Sequence, residues 1–186
     1  MQNYLSGMTE EIKNKAKEIR LIITDVDGVL TDGGIIYDDN QLEYKRFNVK
    51  DGLIVSHLRR NGILVGAITG RKSKVVEDRC EELNFDFHYH GIKDKGKKLK
   101  EILETLEIEL SEVAYLGDDL IDLPILTQVG LSVCPADALP YIQDKVDLVS
   151  SLNGGQGVFR EVGDIVLIAK GLLDGIIEKL VNHNHE

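Results

Sequence analysis

The stretch from Leu21 to Gly34, LIITDVDGVLTDGG, constrains the fold more than any other part of the chain. Three consecutive apolar β-formers, Leu21, Ile22 and Ile23, make the kind of run found in strands covered on both faces. The run ends in two carboxylates, Asp25 and Asp27, followed by Gly28. Side chains two positions apart on an extended segment share a face, so both acids look into the crevice at the strand's carboxyl end, where open α/β sheets hold ligands. Like charges this close repel unless a cation lies between them or one carries a proton, and either arrangement is useful to catalysis. A blander reading makes one Asp a helix cap, or Asp27-Gly28 a plain turn. It leaves the second carboxylate and the Thr31-Asp32-Gly33 that follows unexplained.

Two later segments repeat the design. Ile63–Thr69 is a buried strand ending in Thr69-Gly70-Arg71, and Val113–Leu116 is another ending in Gly117-Asp118-Asp119-Leu120-Ile121-Asp122. Helical patterns fall between them. Thr9 caps a short helix carrying Ile12, Ala16 and Ile19; Asp51 caps one through Ile54, Val55 and Leu58, which Gly62 stops. Val75, Val76, Arg79, Cys80 and Leu83 share helical spacing, as do Leu99, Ile102, Leu103 and Leu106. Phe85–His90 is a short strand, and strand and helix candidates alternate through Gly130–Cys134, Asp137–Gln143 and Val146–Val149. A glycine-rich turn, Asn153–Gly157, leads into a long terminal helix beginning near Val158. Residues 35–48, with β-formers around Asp38-Asp39-Asn40, form a β-hairpin standing over the acids. Alternating strands and helices predict an α/β fold: one doubly wound parallel sheet in a single domain over 1–186, with a helical extension at 1–19 and a tail at 174–186. No G-x-G-x-x-G follows the first strand, so a dinucleotide site is not indicated.

A net charge of -10 argues against nucleic-acid binding, which needs a basic face. Cys80 and Cys134 match no metal or redox spacing and read as buried free thiols in a reducing compartment. With no signal-peptide core and no run of 18 apolar residues, the expectation is a cytoplasmic protein without a membrane partner.

In a parallel sheet the polar strand ends lie on one side. Asp25 with Asp27, Thr69, and Asp118 with Asp122 therefore converge, and Lys95 opens a helix at the same edge. DVDGVLTDG resembles the first motif of the haloacid dehalogenase superfamily of phosphotransferases, and ITG, Lys95 and GDDLID match its other three motifs. The resemblance implies a nucleophilic Asp25 that forms an aspartyl phosphate, with Asp27 as general acid and base. Thr69 and Lys95 would bind the phosphoryl oxygens, with Gly70 beside them. Magnesium would be held by Asp25, the main-chain carbonyl of Asp27 and Asp118. Asp119 and Asp122 are supporting residues; Asp122 either holds Lys95 or a metal-bound water, or caps the following helix.

Larger members of that superfamily insert a cap domain after the first or the second motif. The 41 residues between Asp27 and Thr69, and the 25 between Thr69 and Lys95, are already used by smaller elements. An uncapped site is open to water unless a second subunit covers it, so a homo-oligomer is expected. The segments LTDGGIIYD, KRFNVKDG, ITGR, VEDRC, GDDLIDLP and GGQGVFREV are similar to the capless branch that contains the 3-deoxy-D-manno-octulosonate 8-phosphate phosphatases. That likeness implies a homotetramer, with hairpin and tail closing neighbouring sites, acting in synthesis of the inner sugar of lipopolysaccharide.

The implied substrate carries a phosphate at one end and a carboxylate at the other. Arg71 and Arg79 are candidates for the carboxylate, Arg79 from across an interface. Related nonulosonate phosphatases have an acidic residue where Arg71 stands, which favours the octulosonate. Gly154, Gly155, Gly157 and Arg160 either reach a neighbour's site or form a plain loop and capped helix. His88 and His90 lack a third metal ligand, and His183 and His185 carry no assignment. Three other readings compete: phosphatase action on a nonulosonate 9-phosphate or another small sugar phosphate, a non-catalytic binding module, and a phospho-acceptor signalling domain. The binding module conflicts with the presence of all of Asp25, Asp27, Lys95 and Asp118, and the signalling domain with Asp27, since an acid/base beside the nucleophile hastens loss of the phosphoryl group.

Overall fold

The structure, a computed structural model, describes residues 8–182. The polar tail with His183 and His185 lies outside the described residues. The chain runs α1 (Glu10–Glu18), β1 (Leu21–Thr24), β2 (Ile36–Tyr37), β3 (Glu43–Tyr44), α2 (Val49–Arg60), β4 (Leu64–Ile68), α3 (Lys74–Glu82), β5 (Phe87–Tyr89), α4 (Lys95–Leu106) and β6 (Val113–Leu116). It continues through α5 (Leu123–Leu126), β7 (Leu131–Cys134), α6 (Pro140–Gln143), β8 (Leu148–Val149), α7 (Val158–Ala169) and α8 (Leu173–Asn182).

Six strands form one sheet in the order β5-β4-β1-β6-β7-β8, every neighbouring pair parallel. β1 lies between β4 and β6, with Leu21 opposite Leu64 and Val113. The apolar run of β1 divides by alternation. Ile22 enters a core with Ile54, Leu58, Val162 and Val166, while Leu21 and Ile23 enter another with Leu99, Ile102 and Tyr115. Helices therefore cover both faces, as the continuous hydrophobicity of β1 requires. The predicted doubly wound sheet is present, and among the described residues only the hairpin and α2 lie between β1 and β4, and only α3 and the sheet strand β5 between β4 and Lys95, so no cap domain stands over the site.

β2 and β3 pair antiparallel as a separate two-stranded ribbon. Its turn is held by Asp38, whose Oδ1 accepts from the N–H groups of Asn40 and Leu42.

Three local expectations change. The helix expected to begin at Asp51 starts at Val49, because Asn48 is its N-cap and accepts the Lys50 N–H at 3.0 Å. Asp51 is instead buried within α2, and its Oδ1 accepts the Arg160 N–H at the start of α7 (2.8 Å). It thus caps a helix from another element, one whose own N-cap, Gly157, has no side chain. The long terminal helix breaks after Ala169, where Gly171 takes φ +69°, and resumes as α8.

Candidate active site

Asp25 follows β1 directly, and its N–H continues the ladder to the Leu116 carbonyl at 2.8 Å. Its Oδ1 accepts the Val26 N–H (2.7 Å) and its Oδ2 lies 3.0 Å from Lys95 Nζ. Lys95 is the first residue of α4, a helix capped by Asp94, whose Oδ1 accepts the Lys97 N–H. Asp94 thus has the plain structural task of starting the helix that delivers Lys95. The Lys95 ammonium also donates to Asp122 Oδ1 at 2.6 Å, and Tyr115 Oη–H donates to that same oxygen at 2.6 Å. Burial opposes the charge on Lys95, but the carboxylates of Asp25 and Asp122 outweigh it and hold its pKa above the usual lysine value. The other oxygen of Asp122 accepts the N–H groups of Asp118 and Asp119, while Asp119 accepts from the Leu120 N–H. Of the tasks open to it, Asp122 holds Lys95; its side chain makes no cap bond to α5 and instead ties down the turn before that helix.

Asp118 completes the group, offering an oxygen within 4.8 Å of oxygens of Asp25 and Asp122. Its approach depends on Gly28, which has φ +89° and whose Cβ, if present, would sit 2.0 Å from Asp118 Oδ2. Burial first, then repulsion from Asp25 and Asp122, raises the Asp118 pKa to about 8. Burial raises Asp25 to about 7 against the lowering pull of Lys95. Asp118 Oδ1 is buried and has no hydrogen-bond partner. Two excess carboxylates and an orphaned buried oxygen fit a hard divalent cation with oxygen ligands.

One strand over, Thr69 is buried at the same edge, with its N–H on the Tyr89 carbonyl and its Oγ1 accepting from the Arg71 N–H at 3.4 Å. Gly70 packs against Ile121. Asp27 is ion-paired with Lys45, from just beyond β3. Lys45 also lies 3.5 Å from Glu43 Oε1, and Arg71 Nη2 reaches that oxygen at 3.0 Å and Tyr37 Oη at 3.2 Å. A charged chain thus joins Asp27 to Arg71 through the hairpin. Two other predicted residues stand apart. Arg79 lies over the Phe47 ring, pairs with Glu82 and lines an open groove of about 420 Å³ with Phe47, Val49 and Val75. Arg160 pairs with Asp164 one turn on in its own helix. His88 Nδ1 on β5 and His90 Nε2 just past its end lie 2.8 Å apart, hydrogen-bonded to each other.

Comparison with known proteins agrees with this geometry. Residues 89–162 match the haloacid dehalogenase-like hydrolase family. The chain is 46% identical over 167 residues, 90% of its length and 89% of the relative's, to a 3-deoxy-D-manno-octulosonate 8-phosphate phosphatase of Escherichia coli K12. The chain belongs to the 3-deoxy-D-manno-octulosonate 8-phosphate phosphatase family. The crystal structure of the Yersinia pestis phosphatase superposes with a TM-score of 0.87 at 44% identity, covering 89% of this chain and 90% of that one. That of the Moraxella catarrhalis phosphatase, solved in complex with magnesium, phosphate and KDO, superposes with a TM-score of 0.90 at 38% identity, covering 92% and 99%.

Two members of this site are not evident from sequence reasoning. Tyr115 has one available signal, a phenol in the middle of a buried strand, which needs a partner for its hydroxyl. Lys45 sits in the segment KRFNVKDG, which carries the family likeness, yet nothing in its spacing announces that the hairpin folds back onto Asp27.

Proposed function

We propose that this chain hydrolyses 3-deoxy-D-manno-octulosonate 8-phosphate to KDO and phosphate, with magnesium as cofactor. The observation that carries the reading is Lys95 held between Asp25 and Asp122, beside an Asp118 oxygen that has no partner. Asp25, Asp118 and the main-chain carbonyl of Asp27 would hold the cation, which when bound offsets the repulsion between an anionic nucleophile and an anionic phosphate. Lys95 places a fixed positive charge 3.0 Å from the attacking carboxylate, where the phosphoryl oxygens arrive. An Asp25 oxygen bonds to phosphorus as the bond to the sugar oxygen breaks, and Asp27 delivers a proton to that oxygen. Asp27 then takes a proton from the water that attacks phosphorus, releasing phosphate and restoring the Asp25 carboxylate. Thr69 contributes its hydroxyl and the adjoining turn to the phosphate pocket.

Arg71 Nη1 is buried without a partner, so a substrate carboxylate there would satisfy a donor that otherwise has none. Arg79, away from the acids, suits a role in a neighbouring subunit's site. The half-exposed Ile36, Tyr37 and Tyr44 of the hairpin support assembly into a homotetramer. Buried free thiols at Cys80 and Cys134 accord with a cytoplasmic setting; no described helix is long and apolar enough to cross a membrane.

The test is phosphate release with magnesium from the octulosonate 8-phosphate, beside a nonulosonate 9-phosphate and simple hexose phosphates. The octulosonate ester is expected to react fastest, and Asp25→Asn to reduce release to background with the fold intact. Equal, slow turnover of every ester by the folded protein refutes the substrate. An active Asp25→Asn variant refutes the nucleophile.

A further inference from the structure

The Lys45 ammonium is the one cation in contact with Asp27 among the described residues. Its side chain has no solvent exposure and is supplied by the hairpin rather than by the sheet. A buried ammonium is tolerated only among partners, and Lys45 has two carboxylates, Asp27 Oδ1 on one side and Glu43 Oε1 at 3.5 Å on the other. Glu43 is itself anchored, since its Oε1 also accepts from Arg71 Nη2 and its Oε2 accepts from Ser73 Oγ at 2.6 Å. The clamp therefore grips one oxygen of Asp27 from a fixed base. The other, Oδ2, is buried and has no hydrogen-bond partner.

We propose that Lys45 is a positioning residue for Asp27, holding one carboxylate oxygen so that the other faces the leaving group and then the water. The proposal rests on the acid/base role given to Asp27 above. A carboxylate in the turn after a strand has rotational freedom about its Cα–Cβ bond, and proton transfer needs it within hydrogen-bond reach of the sugar oxygen. Misplacement by about 1 Å can cost on the order of 10²-fold in rate. The hairpin thereby gains a task in the chemistry: it carries the residue that aims the acid.

The leaving group separates this role from a merely architectural one. A sugar alkoxide needs a proton to depart, whereas the phenolate of p-nitrophenyl phosphate leaves without one. Read as kcat/KM, which covers the steps up to departure of the leaving group and not the water attack that both esters share, Asp27→Asn is expected to slow the sugar ester about 10²- to 10⁴-fold and the aryl ester far less. Lys45→Met is expected to show the same selectivity, with a loss on the order of tenfold or more in kcat/KM for the sugar ester and little change for the aryl ester. Lys45→Arg is expected to recover part of that loss. The double variant is expected to be no slower than Asp27→Asn, because one residue acts through the other. Equal losses of Lys45→Met on both esters, or additive losses in the double variant, overturn the proposal while leaving the phosphatase reading intact. If Lys45→Met does not fold, Glu43→Gln, which loosens the clamp and retains the ammonium, is held to the same leaving-group selectivity. If Asp27→Asn lowers kcat/KM equally for both esters, the acid role itself fails, and the positioning role with it.

Discussion

At the carboxyl edge of the sheet, Asp25, Lys95, Tyr115 and Asp122 are 0–6% exposed, and strands or helices continuous with the two cores deliver them. The hairpin above has strands of only two residues, and Ile36, Tyr37, Leu42 and Tyr44 are at least half exposed. A two-stranded ribbon has little stability of its own. Edge charges are thus oriented by the fold, whereas Glu43, Lys45 and Arg71 are oriented by one another. The first region tolerates the loss of an ion pair badly because nothing replaces it. The second depends on its ion pairs and on whatever covers its apolar face.

Replacing Lys95 by Met strands Asp25 and Asp122 as buried carboxylates, and a destabilisation of about 3–5 kcal/mol is expected from urea unfolding. An unchanged unfolding midpoint would show that the edge is no better supported than the hairpin. A smaller effect sharpens the view of how the core reaches the site. Burial raises the Asp51 pKa from 3.8 to about 6, against the lowering pull of the helix N–H groups it caps. The folded protein therefore binds the Asp51 proton more tightly than the unfolded chain does. Its contribution to stability falls as pH rises from about 4 to about 6, by no more than about 3 kcal/mol. Asp51→Asn is expected to flatten that window, measured as the difference between the two proteins' urea midpoints at several pH values. A constant difference across the window refutes the assignment.

The least effect on folding is expected at the hairpin surface. Ile36 and Tyr44 are direct cross-strand partners, so Ile36→Glu with Tyr44→Lys keeps a favourable pair across the ribbon. The subunit's stability is expected to change by no more than about 0.5 kcal/mol, while light scattering reports loss of the proposed tetramer. A tetramer that survives this double change places the interface elsewhere.

The sequence made the edge of the sheet legible for a physical reason: each motif follows its strand directly. Asp25, Thr69 and Asp118 need only the parallel order of β1, β4 and β6 to converge, and Lys95 needs only the start of α4. What was not legible depends on chain reversal. Lys45 meets Asp27 because the ribbon folds back, and Asp51 caps α7 because two distant helices pack; neither contact has a local signature. Asp51 has the residue type of a cap, so it suggested the helix it sits in rather than the one it serves. The break after Ala169 turns on Gly171, set in a sequence whose apolar residues keep helical spacing on both sides.

The glycine-rich turn has a consequence in time. Gly155 N–H donates to the Val29 carbonyl at 2.9 Å, and a Cβ on Gly154 would lie 2.0 Å from the Gly28 carbonyl oxygen, so residues 153–157 press directly on the backbone of the turn that carries Asp27. About 130 residues separate the two segments. At ribosomal speeds of roughly 5–20 residues per second, the turn emerges on the order of ten seconds before its brace does. During that interval the carboxylates of Asp25 and Asp27 are present while Lys95, then Asp118, and last the glycines are still being added. The turn that carries Asp27 is synthesised well before the glycines that press on it, so a nascent chain secures this turn only once residues 153–157 have been made.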